Sequence, residues 1–120
     1  MEIKFRGIRE RKGCIVLVSH DGGEPYAKLP LYLDWLDHSP TGFEWGYYGS
    51  GPSQLAYALL HHYFVVMEGL DEESAHEEAL DAYVEFKQKI VGSIREDNWE
   101  LDEIDFSNFL WDRYNAQTNR

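Results

Sequence analysis

The segment from Pro52 to Met67 constrains the fold more than any other stretch of this chain. Read as a helix, it places Leu55, Leu59 and Val66 on one side and Ala56, Leu60 and Phe64 on the next. A helix that is apolar nearly all round is a buried one. In a chain of 120 residues, every other element must then serve as its cover. Its start is marked by Gly49-Ser50-Gly51-Pro52, with Pro52 at the first helical position behind Ser and Gly. Gly69 ends it.

The cover is legible on both sides of this helix. Ile3 to Ile8 alternates apolar and charged residues, as a half-buried strand does, and Cys14 to Ser19 is a continuous apolar strand. The polar turn Arg9–Gly13 joins them as a hairpin. Leu29, Leu31 and Leu33 allow a short extended stretch, which Pro30 confines to an edge or loop. Phe43-Glu44-Trp45-Gly46-Tyr47 is predicted to be a third strand, with Phe43, Trp45 and Tyr47 on one face. After Gly69, Asp71 caps a second helix to about Val91, in which Ala75, Ala79, Ala82, Phe86 and Ile90 recur at helical spacing. Trp99 to Leu101 is expected as a short edge strand, and Asp102 as the cap of a last helix holding Ile104, Phe106, Phe109, Leu110 and Tyr114. The order predicts an α+β fold: a small antiparallel sheet of three to four strands packed against the buried central helix and two further helices. One domain over residues 1–120 is expected, with residues 116–120 as a frayed tail.

Charge narrows the function classes. There are 22 acidic residues against 11 basic ones, for a net charge of -11. The first 33 residues hold six basic and four acidic residues, so the acidity belongs to the rest. Such a surface repels phosphates, which argues against direct nucleic-acid binding. No stretch has the roughly 18 uncharged apolar residues of a membrane span. The start, Met1-Glu2-Ile3-Lys4-Phe5-Arg6, does not read as a signal peptide, so a cytoplasmic protein is expected. Cys14 is the only cysteine and lies in an apolar run, where a buried inert thiol is expected.

No motif identifies a reaction. Gly46-Tyr47-Tyr48-Gly49-Ser50-Gly51-Pro52-Ser53 has the glycine frame of a phosphate-cradling loop, but Pro52 stands where that loop needs lysine. Ser50 lies between two glycines, but Tyr48 and Pro52 stand where the spacing of a nucleophile elbow needs glycine. Ser19-His20-Asp21 holds three adjacent residues that cannot orient one another in series, and so reads as a turn. His61 and His62 are about 100° apart on a helix, which aims them away from a common metal even with His76 nearby. No metal or cofactor is implied.

The stretch Leu29-Pro30-Leu31, His38-Ser39-Pro40-Thr41-Gly42-Phe43-Glu44-Trp45-Gly46-Tyr47, Gly49-Ser50-Gly51-Pro52-Ser53-Gln54-Leu55-Ala56 and Ala58-Leu59-Leu60 resembles a family of small uncharacterised domains. Those domains occur in bacteria, archaea, phages and plasmids. Tyr83, Phe86-Lys87, Val91, Trp99, Leu101 and the final helix extend the likeness over about residues 3 to 111. The resemblance implies no known activity. It does imply that His38, Ser39, Trp45, Tyr47, Ser50, Gly51 and Gln54 belong to a shared signature. Tyr48 stands where the family more often has glycine, which stiffens the loop. Occurrence on mobile elements implies an accessory role.

Two functions follow as expectations. The first is a non-enzymatic interaction module whose acidic helical surface, mainly Asp71–Asp81 (with Glu72, Glu73, Glu77, Glu78 and Asp81) and Glu96–Asp105, engages a basic partner protein. The second is a small-anion or nucleotide site at the helix start Gly49–Gln54. There Ser50, Ser53 and Gln54 would supply hydrogen bonds, His38 would be the general base, and Ser39, Trp45, Tyr47 and Gly51 would complete the pocket. Homodimer formation through the aromatic segment is a further structural reading.

Overall fold

In the computed structural model, which describes residues 2–118, the hairpin is β1 (Lys4–Glu10) and β2 (Gly13–Ser19), paired antiparallel from Lys4 with Ser19 to Glu10 with Gly13. Two residues, β3 (Ala27–Lys28), pair with β2. On the other side β1 pairs with β4 (Asn98–Asp102), which puts the predicted short strand at the sheet edge. The open antiparallel sheet has the order β3-β2-β1-β4. The helices are α1 (Ser50–Glu68), α2 (Glu72–Lys89) and α3 (Glu103–Thr118), with a single 3-10 turn at Val91–Ser93 after α2. The fold is therefore α+β, as expected. Of the tail, residues 116–118 continue α3, and 119–120 lie outside the described residues.

One expected strand is absent. Phe43 to Tyr47 pairs with no other strand, and the third strand of the sheet is Ala27–Lys28 instead. Phe43 and Trp45 are buried as the alternation required, but Tyr47 is half exposed at 49%. The cause lies at Gly46, whose positive φ of 88° turns the chain before Tyr47. The polar backbone groups here bond to loops and side chains, not to a ladder. Gly46 N–H donates to Val91 O, Trp45 N–H to Glu44 Oε1, and the Arg9 guanidinium to Trp45 O. A hydrophobic alternation shows which side chains turn inward; it does not require a partner strand.

The core confirms that α1 lies at the centre. Leu55, Leu59 and Leu60 have no exposed surface, and each such burial contributes about 2 kcal/mol. Phe106 of α3 joins the layers, stacking on Tyr63 of α1 and Phe86 of α2 and packing against Phe5 of β1. The helix boundaries follow local chemistry. α1 begins two residues earlier than predicted, with Gly49 as its N-cap and Pro52 inside the first turn, where a missing N–H costs nothing. Asp71 Oδ1 accepts from Ser74 N–H at 2.7 Å, and Asp102 Oδ1 accepts from Ile104 N–H at 3.0 Å, so both predicted aspartate caps are present. Cys14 is half-buried, and burial pushes its thiol up.

Candidate functional site

At the glycine junction, close packing explains the small residues. The Tyr47 ring covers Gly49, where a Cβ would stand 2.5 Å from the ring, and Glu44 covers Gly51, where a Cβ would stand 2.7 Å from the Glu44 Cβ. Ser53 Oγ–H donates to Gly49 O at 3.0 Å and accepts from Lys87 Nζ at 3.1 Å. Ser50 is exposed and borders a cleft of about 460 Å³ with Ser39 and Gly51. The same cleft carries Lys12, but also the carboxylates of Glu10 and Glu44. Burial raises the Glu44 carboxyl, yet Arg9 and the Trp45 N–H outweigh it and hold it below its usual range, so it stays charged beside the helix start.

Gln54 faces away from that cleft and has no exposed surface. Its Oε1 accepts from His38 N–H at 2.7 Å and Ser39 N–H at 3.1 Å. Its Nε2 donates to Leu31 O at 2.7 Å and Leu36 O at 2.8 Å. All four hydrogen-bonding sites of the amide are occupied by one loop. Gln54 is thus a clamp that ties residues 31–39 to α1. Three further signature residues are also engaged internally. Ser39 Oγ–H donates to Gly42 O at 2.7 Å, His38 Nε2 lies 3.0 Å from Tyr83 OH, and Trp45 Nε1–H donates to Glu96 O at 2.9 Å. Arg9 sits over the Trp45 ring at 4.7 Å while binding Glu44 and Asp97.

The clamped loop presents Tyr32 and Trp35 to a cluster of histidines. Tyr32 is left-handed at φ 60°, an uncommon backbone state for a residue with a side chain. Its ring stacks on His61 at 4.4 Å and its OH lies 2.6 Å from His62 Nδ1. His61 and His62 do point apart, as their spacing predicted. His62 turns to the sheet side, where its Nε2 meets His20 Nε2 at 2.9 Å. Burial first, then His20 and His61, push its pKa down to about 4. Burial and Glu72 push Tyr32 up to about 12.

His61, fully buried, turns to α2 instead. Its Nε2 lies 2.6 Å from Glu72 Oε2, its Nδ1 is 3.1 Å from Tyr57 OH, and that hydroxyl is 2.5 Å from His76 Nδ1. A carboxylate only accepts, so His61 Nε2 carries the proton donated to Glu72. For a neutral ring, Nδ1 then accepts from Tyr57 O–H, whose oxygen accepts from His76 Nδ1–H. Burial, then Glu72, raise the Tyr57 phenol and keep it protonated. Tyr57 and His61 on α1 stand at four-residue spacing, as do Glu72 and His76 on α2, so each helix presents two members of this chain to the other. That spacing was the sequence signal for the cluster, and weighing the histidines only against a metal site, and dismissing it, missed it. Among the described residues no three His, Cys, Asp or Glu side chains converge as a metal set.

The acidic residues of α2 divide into two groups. Glu72 is held by His61, and Asp81 by Arg113 at 2.9 Å. Glu73, Glu77 and Glu78 are exposed, and among the described residues no cation lies within ion-pair distance of them. Leu80 and Val84 are 42% and 45% exposed farther along α2. Close by, burial and Glu78 together raise the Glu68 carboxyl. No described helix is long and apolar enough to cross a membrane.

A family model described as a family of unknown function (DUF6166) matches residues 5–112, and the chain belongs to that family. No curated protein and no solved structure matches the chain.

Proposed function

We propose that this member of a family without assigned function is a non-enzymatic accessory domain of the cytoplasm that docks a basic partner protein on the N-terminal half of α2. The observation that supports this reading is the set of uncompensated carboxylates Glu73, Glu77 and Glu78. The two arginines of β1, by contrast, are paired: Arg6 binds Glu100 and Arg9 binds Glu44 and Asp97. Helix-dipole compensation accounts for Asp71, Glu72 and Glu73 but fades beyond the first turn, so it does not account for Glu77 and Glu78. Exposed Leu80 and Val84 add apolar contact to the charged face, a mixture suited to a basic amphipathic segment.

The alternative, a small anion or nucleotide at Gly49–Gln54, has less support. The side chains of Ser53 and Gln54 are occupied, and an anion in the adjoining cleft would meet Glu10 and Glu44. The test is calorimetric binding of an octalysine peptide. Replacing Glu73, Glu77 and Glu78 together by Gln should weaken binding about tenfold or more. An equal charge change at Glu10, Glu24 and Asp112 should weaken it less than about twofold. Equal effects of the two triple variants would refute docking on α2.

A further inference from the structure

Beside the first turn of α2 lies an open cavity of about 420 Å³ whose walls include Leu31, Tyr32, Leu33, Asp34, Trp35 and Glu72. Two aromatic rings and two carboxylates in one concave site form a receptor for an organic cation. The ring faces attract positive charge through their quadrupoles, and the carboxylates do so directly. We infer that this cavity takes one arginine side chain of the basic partner, beside the acidic face of α2. This rests on the docking reading and deepens it by naming the residue that anchors the partner.

Four features show that the site is held in place. The four hydrogen bonds of Gln54 fix the backbone at Leu31, Leu36, His38 and Ser39, which brackets Tyr32 and Trp35 on both sides. Tyr32 keeps its left-handed backbone because its carbonyl accepts from Trp35 N–H and Leu36 N–H, each at 3.1 Å, while its ring is trapped between His61 and His62. Glu72 is anchored through one oxygen only. His61 donates to Oε2, which leaves Oε1 free on a carboxylate whose side chain is 56% exposed. The buried histidine is then a positioning residue for the carboxylate at the cavity wall. Trp35 is braced against His61 and His76, with ring centroids 5.6 and 5.0 Å away, and remains 37% exposed.

Arginine suits the cavity better than lysine. A guanidinium is flat and weakly hydrated, so it stacks on an indole and still donates to a carboxylate, whereas an ammonium must give up a tighter water shell. The cation would lie against Trp35 and Tyr32 with its N–H groups directed to Glu72 Oε1 and Asp34.

The test is titration of acetyl-arginine amide, followed by the four indole N–H resonances of the protein in a nitrogen–proton spectrum. The Trp35 signal should shift, and those of buried Trp45 and Trp99 should not. The neutral citrulline analogue should leave Trp35 unmoved, and the lysine analogue should bind several-fold more weakly. Glu72→Gln keeps an acceptor for His61 and removes the charge, so it should weaken arginine binding about tenfold. Trp35→Phe, which retains a ring at an exposed position, should weaken an arginine-containing lysine peptide several-fold and leave its salt dependence unchanged. An equal response to citrulline, or full affinity in Glu72→Gln, would overturn the cation site. A response to tetramethylammonium as strong as to acetyl-arginine amide, with none to the arginine peptide, would overturn the peptide anchor in favour of a free amine. If Trp35 responds to arginine while the two triple variants behave alike, the docking reading fails and the cavity remains a cation site.

Discussion

Gln54→Leu removes the clamp with little change of volume. It leaves the carbonyls of Leu31 and Leu36 and the amides of His38 and Ser39 without their partner. A fully buried orphan costs about 1–3 kcal/mol. His38 is exposed and Leu31 and Leu36 are half-buried, so water reaches part of the loop once the amide is gone. The lower end of that range applies, about 1 kcal/mol for each of four bonds, or about 4 kcal/mol in all. At about 2.1 cal/mol/K of unfolding entropy per residue, a chain of this size loses about 4 °C for each kcal/mol. Calorimetric melting should therefore fall by about 16 °C. The loop should also release Trp35, so its indole N–H should lose its dispersed position even well below the transition. A fall of less than about 4 °C with an unchanged Trp35 signal would refute the clamp.

Three further outcomes follow from the same contacts. His62 titrates near 4 in the folded protein and near 6.5 when unfolded. The unfolded chain therefore takes up the proton first, and stability is lost as pH falls from about 6.5 towards about 4, by about 3 kcal/mol at most. Urea unfolding at neutral pH and near pH 4.5 measures this, and His62→Phe should flatten the slope in that window; an unchanged slope would contradict it. Arg9→Lys cannot hold Glu44, Asp97 and the Trp45 carbonyl in one fork, and should cost about 1–2 kcal/mol in urea unfolding. Tyr57→Phe breaks the chain between His61 and His76 at both contacts, and should cost about 2 kcal/mol by the same measurement.

Much of the fold was legible because apolar spacing reports burial directly. The hairpin, the buried α1, the Asp71 and Asp102 caps and the edge strand at Trp99 all follow from short-range pattern. The segment 43–47 misled because a buried loop and a buried strand share the same alternation, and only the turn at Gly46 separates them. β3 was hidden because two residues carry no period. At the candidate site, Gln54 reads as a ligand donor in sequence, since nothing local shows that residues 31–39 return to it. The histidine cluster assembles from the bend after β2, the clamped loop and two helices, so its contacts exist only after folding. The pair spacing of Tyr57–His61 and Glu72–His76 on helices that pack together was its one local trace.

The salt dependence of peptide binding tests the central claim most directly. Between about 50 mM and about 300 mM salt, octalysine affinity for the unaltered protein should fall steeply, because exposed carboxylates are screened over about a Debye length. In the protein with Glu73, Glu77 and Glu78 replaced by Gln, the fall should be much shallower. Parallel salt curves for the two proteins would contradict docking on α2.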